Sequence, residues 1–292
     1  MLDLEGLTRR YHNSGTLSPT DISTFQKTIL DHYHANPRPM PWRTTQDPYN
    51  ILVSEIMLQQ TQVERVKAKY SEFLSGFPTF KDLAAASLTD VLRIWQGLGY
   101  NRRAIAVKRC AEEIVNRYGG QFPRNIDELE SLPGIGPYTA RAVAAFAFGI
   151  AEPFIETNIR TVFIHYFFQG HDKVNDRKIM QLVAATLDRQ NPREWYYALM
   201  DYGVWLKQLH TNPGRRSRHH VQQSRFEGSN RQLRSRLLRA VISSPGISAA
   251  ELADQLEVLR CDVERNLAAM ELEGFLYLTN SRYAVTDGTK KG

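Results

Sequence analysis

Residues 132–149 read LPGIGPYTARAVAAFAFG, and the fold turns on what this stretch does. Pro-Gly-Ile-Gly-Pro stands between IDELESL and an alanine-rich run, both helical in character. Two glycines that close together mark a turn, because glycine enters backbone regions that other residues avoid. Pro137 suits the first position of the next helix, where its missing N–H costs nothing. The start of that helix then offers unpartnered backbone N–H groups and a positive dipole end, which together favour an anion. Taken alone, the stretch reads equally as an ordinary helix hairpin. Its neighbours decide between the two readings.

Around it the chain reads as helix after helix. ISTFQKTILDHYHAN follows Thr20-Asp21, a capping pair. NILVSEIMLQQTQVERVKAKYSEFLSGF carries apolar residues at helical spacing and stops near Gly76. FKDLAAA, LTDVLRIWQGLG and RAIAVKRCAEEIVNRYGG come next, each closed by a turn signal. TNIRTVFIHYFFQG, DRKIMQLVAATLD and REWYYALMDYGVWLKQL complete an all-α body. The tail differs. NRQLRSRLLRAVISS reads as one helix, ISAAELADQLE opens with a Ser248–Glu251 capping box, and RCDVERNLAAMELEG ends at glycine. FLYLTNSRYAVT then reads as two short strands around an Asn-Ser turn. Three helices and a hairpin make a winged-helix pattern, with basic residues on its first helix and Arg282 on the wing.

Bulk properties narrow the class. A chain of 292 residues suggests two domains. We expect one lobe from residues 1–43 and 146–206, a second from 44–145, a basic linker over 207–229 and a winged-helix-like domain over 230–292. No apolar run is long enough to span a bilayer, and MLDLEGLTRRYHNSG lacks a signal-peptide layout. The two cysteines, Cys110 and Cys261, cannot supply a four-cysteine cluster or a disulfide framework. The expectation is a cytosolic monomer without metal or cofactor. A net charge of +6 favours an anionic partner only mildly, but its distribution says more. Residues 207–240 hold nine Lys or Arg and one Glu, mixed with Gln, Ser, Asn and His. That is either a solvated linker or a phosphate-contacting surface, and Arg215, Arg216 and Arg218 are its candidate contacts.

Upstream lies MPWRTTQDPYNILVSEIMLQQTQV, residues 40–63. Glu55 falls in an apolar stretch, beside Leu52, Leu58 and Gln59 at helical spacing. A carboxyl there is expensive unless paired or used. Burial would raise its pKa and keep it protonated, able to act as an acid. Gln59, Gln60 and Thr61 follow as uncharged hydrogen-bonding groups suited to probing base edges. Trp42 and Arg43 at the head of the stretch are further candidate DNA contacts. GLGYNRRA, residues 97–104, is a second glycine turn with Tyr100, Arg102 and Arg103 at its exit. FIETNIRTV, residues 154–162, sets Glu156 just before another helix, where Thr157 can cap and Glu156 is either a cap or a functional carboxylate.

In this order, PWRTTQDPYNILVSEIMLQQTQV, GLGYNRRA, LPGIGPYTARAVAAFAFG and FIETNIRTV resemble the helix-hairpin-helix DNA glycosylases, most of all the branch that removes adenine mispaired with oxidised guanine. The resemblance covers about residues 20–205. It implies a two-lobed all-α body, double-stranded DNA as partner and base-excision chemistry. Gly134 and Gly136 would bind a DNA phosphate through backbone amides. Gln60 would wedge into the duplex, and Thr61 would contact the orphaned base. Glu55 would protonate the flipped purine, Glu156 would stand as the second carboxylate, and Asn158 would orient that carboxylate or a water. Tyr138 stands where bifunctional relatives carry a Schiff-base lysine, which implies excision without strand cleavage.

Three features depart from that family pattern. The second carboxylate is Glu156 where relatives have aspartate. The four cluster cysteines found after the body in many relatives are absent, and RRSRHHVQQSR occupies that region. The winged-helix-like tail stands where the adenine branch carries its oxidised-guanine-reading domain. Three readings therefore stay open: a monofunctional glycosylase for adenine, or for thymine or uracil opposite guanine; a non-catalytic DNA-binding protein on a glycosylase body; and a winged-helix regulator with a scaffold body.

Overall fold

The computed structural model describes residues 4–220 and 225–286. Parts of the expected lobe, linker and tail at residues 1–3, 221–224 and 287–292 lie outside the described residues. The described chain is helical almost throughout. It runs α1 (Leu4–Ser14), α2 (Pro19–Ala35), α3 (Pro48–Leu58), α4 (Val63–Gly76), α5 (Phe80–Ala85), α6 (Leu88–Trp95) and α7 (Arg102–Tyr118). Next come α8 (Ile126–Ser131), α9 (Pro137–Phe148), α10 (Thr157–Phe167), α11 (Asp176–Thr186) and α12 (Pro192–Leu209). The C-terminal part holds α13 (Asn230–Ser243), α14 (Ala249–Leu256), α15 (Arg260–Leu272) and the strands β1 (Leu276–Thr279) and β2 (Arg282–Val285). Among the described residues no helix is long and apolar enough to cross a membrane.

Local chemistry explains where the elements start. In α6, Ser87 accepts from the Asp90 N–H, and Leu88, Val91, Leu92 and Trp95 form one buried stripe. Each such side chain contributes roughly 1.5–3 kcal/mol on leaving water. Two starts differ from the sequence reading. α2 begins at Pro19 behind Ser18, whose hydroxyl forms a capping box with Asp21, so Thr20 is not the cap. Glu156, not Thr157, caps α10. The long helix expected over residues 50–77 is broken in two between Leu58 and Val63, with Gln60 in the left-handed region at φ 55°. Apolar periodicity continued across the break and hid it.

The chain divides into two compact units. The first runs through Glu55, returns for Arg124–Ser131, and takes in Ile135 up to the basic stretch. Its core is aromatic: Phe25 of α2 meets Phe163 and Phe167 of α10 and Trp195 of α12. Residues 44–55 and 135–145 group with this unit, and α13 onward groups with the second.

The second unit holds Ile56–Pro123, Leu132–Gly134 and the C-terminal part. Within it α5 packs on α7, and Phe73, Phe77 and Trp95 stack edge to face. The C-terminal part is a winged-helix-like α+β fold. β1 and β2 pair antiparallel around Asn280 and Ser281, both at positive φ, as a two-residue hairpin turn needs. Ile247 adds an isolated antiparallel bridge to Tyr283. Glu273 at the end of α15 takes Arg102 and Arg234 together, and Arg231 of α13 donates to the Tyr100 hydroxyl at 2.8 Å. Arg282 on the wing donates to the Gly246 carbonyl at 2.5 Å and faces Glu251.

Candidate active site

α3 carries the first carboxyl. Asp47 accepts from the N–H groups of Tyr49 and Asn50, and Pro48 begins the helix, so the start is fixed by an acceptor and a preset φ. Seven residues on, Glu55 is 5% exposed amid Ile51, Leu52, Ile56 and Met57. Its Oε2 accepts from the Tyr138 hydroxyl at 2.8 Å. Burial pushes its pKa up to about 7, the Glu156 charge adds to the rise, and the Tyr138 hydrogen bond and Arg43 oppose it. The same surroundings push the Tyr138 phenol well above its ordinary value, so the phenol is the donor. Its ring lies edge-on to Phe154, 5.6 Å away, and Phe154 stacks on Tyr196.

Glu156 is held differently. Its Oε1 accepts from the N–H groups of Asn158 at 2.6 Å and Ile159 at 2.8 Å. Its Oε2 faces the Asn158 side-chain amide at 3.3 Å. Aspartate is the usual N-cap; the extra methylene here still reaches two helix N–H groups and leaves the second oxygen on an amide. Burial raises the Glu156 pKa, while the Ile159 N–H, Lys207, the Asn158 N–H and Arg160 pull it back. Glu55, Tyr138, Glu156 and Asn158 thus lie in one unit, and the charge of Glu156 acts on both Glu55 and Tyr138.

The glycine turn is exposed at both Gly134 and Gly136. Gly134 has φ +78°, and a Cβ there would lie 2.5 Å from that of Ala106, so only glycine fits. Gly136 is extended at φ −88° with open space around it. Its expected need for unusual backbone freedom is therefore not met. What Gly136 provides is a helix N-cap with no side-chain acceptor, which leaves the first N–H groups of α9 available.

Several expected DNA contacts are occupied inside the protein. Trp42 is 3% exposed and part of the core. The Arg43 side chain is 10% exposed and grips Asp201 through two nitrogens at 2.7 and 2.9 Å. Arg103 is 9% exposed. Its nitrogens reach the carbonyls of Ile56, Met57, Gln59, Leu98 and Gly99 and the Thr61 hydroxyl. It fixes the loops that carry Gln60 and Tyr100, both at positive φ, because guanidinium offers five donors in a rigid fork. Burial lowers its pKa to about 10, still charged at neutral pH. Arg216 donates to the carbonyls of Phe168 and Ile164. These four side chains serve the fold, since a group enclosed by protein acceptors is not presented to a ligand.

Gln60, Arg102, Arg215 and Arg218 are exposed; Gln59, Thr61 and Tyr100 are half-buried. Arg102 is also tied to Glu273. The residues that the sequence reading missed are on α12: Asp201, Gly203 and Lys207. Lys207 counted as the first residue of a solvated basic run, although its place at the end of an apolar helix face was a signal.

An iron–sulfur cluster does not fit these residues. Cys110 is buried in α7 and Cys261 is exposed on α15. Among the described residues no group of three or more His, Cys, Asp or Glu could hold a metal. The segment after α12 is held by the chain instead. Asn212 accepts from the Gly214 N–H, and Val174 exchanges backbone hydrogen bonds with Arg216 and Arg218.

Residues 53–189 match the family described as HhH-GPD superfamily base excision DNA repair protein. An adenine DNA glycosylase of Mycolicibacterium smegmatis is 40% identical over 178 residues, 60% of this chain and 61% of that protein. One of Buchnera aphidicola is 36% identical, over 65% of this chain and 54% of that protein. The Homo sapiens adenine DNA glycosylase is 33% identical, over 63% of this chain and 36% of that protein. The chain thus spans from about a third to three-fifths of the length of these curated relatives. Among solved structures, a thermostable thymine-DNA glycosylase superposes with TM-score 0.56 at 29% identity, covering 63% of this chain and 86% of that one. An endonuclease III from a trapped DNA complex shares the fold at TM-score 0.52 and 18% identity, covering 73% of this chain and 93% of that one.

Proposed function

Because the chain belongs to the HhH-GPD superfamily of base excision DNA repair proteins, we propose that it is a monofunctional DNA glycosylase, acting on adenine opposite 8-oxoguanine. The observation that carries the reading is the pair of acids around Tyr138. One carboxyl sits in an apolar pocket with a pKa raised to about 7; the other caps a helix and is bound by N–H groups. Two carboxyls in such unlike environments can divide acid and anion roles.

The duplex would bind with a phosphate on the exposed hairpin amides before α9, supported by Arg215 and Arg218. Gln60 would enter the stack as the target nucleotide swings out, at a cost of a few kcal/mol that the contacts offset. Protonated Glu55 gives its proton to a ring nitrogen of the base. The C1′–N bond then breaks with both electrons going to the base, and positive charge grows on the sugar. Ionised Glu156 stabilises that charge, and water adds to C1′ and loses a proton. Tyr138 keeps Glu55 oriented through its hydroxyl. A phenol cannot form a Schiff base, so the sugar–phosphate strand stays intact.

Similarity to the adenine DNA glycosylases supports adenine as target. Similarity to the thymine-DNA glycosylase, together with tyrosine at position 138, supports thymine or uracil opposite guanine as the second reading. Labelled duplexes with A opposite 8-oxoguanine, A·G, T·G and U·G decide between them. Strand breaks at adenine that need alkali are expected. Breaks without alkali, or binding to every duplex with no alkali-sensitive product, would overturn the proposal.

A further inference from the structure

The contacts of Glu156 continue one residue further than its own cap. Lys207, in the last turn of α12, donates from Nζ to Oδ1 of Asn158 at 2.5 Å. The Asn158 amide nitrogen in turn faces Oε2 of Glu156 at 3.3 Å. An ammonium only donates, so it selects one of the two orientations of the amide: oxygen toward Lys207, nitrogen toward Glu156. Without it, the opposite flip would set an amide oxygen against the carboxylate.

The backbone is built to allow this contact. Gly203 lies one turn before Lys207 on the same face of α12. A Cβ at Gly203 would stand 2.2 Å from the Asn158 carbonyl oxygen, so α12 meets the start of α10 backbone to backbone. Lys207 is half-buried, which lowers its pKa, while the charge of Glu156 raises it. Burying an ammonium is costly unless it is paired.

Arg160 is the other cation that lowers the Glu156 pKa. It is held by both oxygens of Asp176, at 2.8 and 2.6 Å. Arg216 rests on the Phe168 and Ile164 carbonyls. His165 faces His210, and burial lowers its pKa to about 4, so it is neutral near pH 7. Glu55 and Tyr138 both feel the charge of Glu156.

We propose that Lys207 is a positioning residue for the second carboxylate: through Asn158 it fixes the amide that binds Glu156 and holds Glu156 ionised. This rests on the glycosylase reading for its effect on rate, but not for its effect on Glu156. In the full-length chain, Lys207→Met and Lys207→Gln should raise the pH midpoint of the Glu156 carboxyl by about one unit, followed by carbon-13 NMR of labelled glutamate. A one-unit rise lowers the ionised fraction of Glu156 at most about tenfold, so single-turnover excision should fall by up to about tenfold at pH below the wild-type midpoint and converge on wild type as pH rises above the variants' midpoint. Duplex affinity should stay within about threefold, and Lys207→Arg should recover most of the rate. An unmoved midpoint in both variants overturns the proposal. So does a pH-independent loss that Lys207→Arg fails to relieve. If the wild-type chain cleaves nothing, the glycosylase reading fails, while the NMR titration still decides whether Lys207 governs Glu156.

Discussion

Glu55 and Glu156 are the same residue in the same unit, both removed from bulk water, and their surroundings differ in one respect. Glu55 sits mid-helix, where backbone N–H groups are already committed to the helix, and it receives a single hydroxyl. Glu156 sits at a helix start, where N–H groups are unclaimed, and it receives two of them, an amide and, behind the amide, an ammonium. Burial raises both pKa values. The number of donors then separates them, because hydrogen bonds to a carboxylate favour its charged form. Position along a helix, not residue type, assigns the proton.

The largest expected effect breaks that pair at its protonated member. Glu55→Gln should lower excision at least about a thousandfold while leaving duplex binding in place, measured under single turnover. The same variant tests the burial argument through stability. A carboxyl whose folded pKa is raised stabilises the fold fully below its unfolded pKa, near 4.5, and loses that contribution as pH rises through about 7. Glutamine carries no such loss, so above pH 7 Glu55→Gln should melt higher than wild type, by an amount on the order of 3 kcal/mol. An equal or lower melting temperature at pH 8.5 would mean that Glu55 is not confined.

The ionised member comes next. Glu156→Gln should cost roughly a hundredfold in rate, since it removes the negative charge from the developing cation. Glu156→Asp should keep both the cap and the charge, and so retain most activity. Were the glutamine variant as fast as the aspartate one, Glu156 would be a cap and nothing more. Gly203→Ala sharpens the same side. Its methyl group would meet the Asn158 backbone, and thermal unfolding should show a loss of about 3 kcal/mol.

The smallest effect concerns the single donor to Glu55. Tyr138→Phe removes the hydrogen bond that lowers the Glu55 pKa. The alkaline limb of the pH–rate profile should therefore move upward, with a change of less than about tenfold at pH 7. A downward shift would show that the phenol does not donate to Glu55.

The arginines show where sequence reading succeeds and where it stops. Arg215 and Arg218 are exposed. Arg103 looked no different in the sequence, yet it closes two loops from within, because four acceptors more than forty positions away, on Ile56, Met57, Gln59 and Thr61, converge on it beside the nearby Leu98 and Gly99 carbonyls. Arg43 likewise meets Asp201 across 158 positions. The C-terminal helices were legible as a winged-helix pattern, but their charge was not. On α15, Arg260 pairs with Glu264 and Arg265 with Asp262, and Glu273 turns toward Arg102 and Arg234. Of the basic residues that gave this domain its tilt toward nucleic acid, Arg231 reaches the Tyr100 hydroxyl, Arg234 pairs with Glu273, Arg236 donates to the Leu256 carbonyl and Arg282 to the Gly246 carbonyl.

By itself the sequence determined the helical body, the glycine turn before α9, the hairpin at Asn280–Ser281 and the unusual placing of Glu55 in an apolar run. Those are local properties, set by periodicity, caps and backbone freedom within a few residues. The tertiary structure decided which arginines face outward, where the helix after Glu55 breaks, and that Lys207 reaches Asn158. Each depends on groups brought together from remote positions, and the burial that sets their charge exists only once the chain has closed around them.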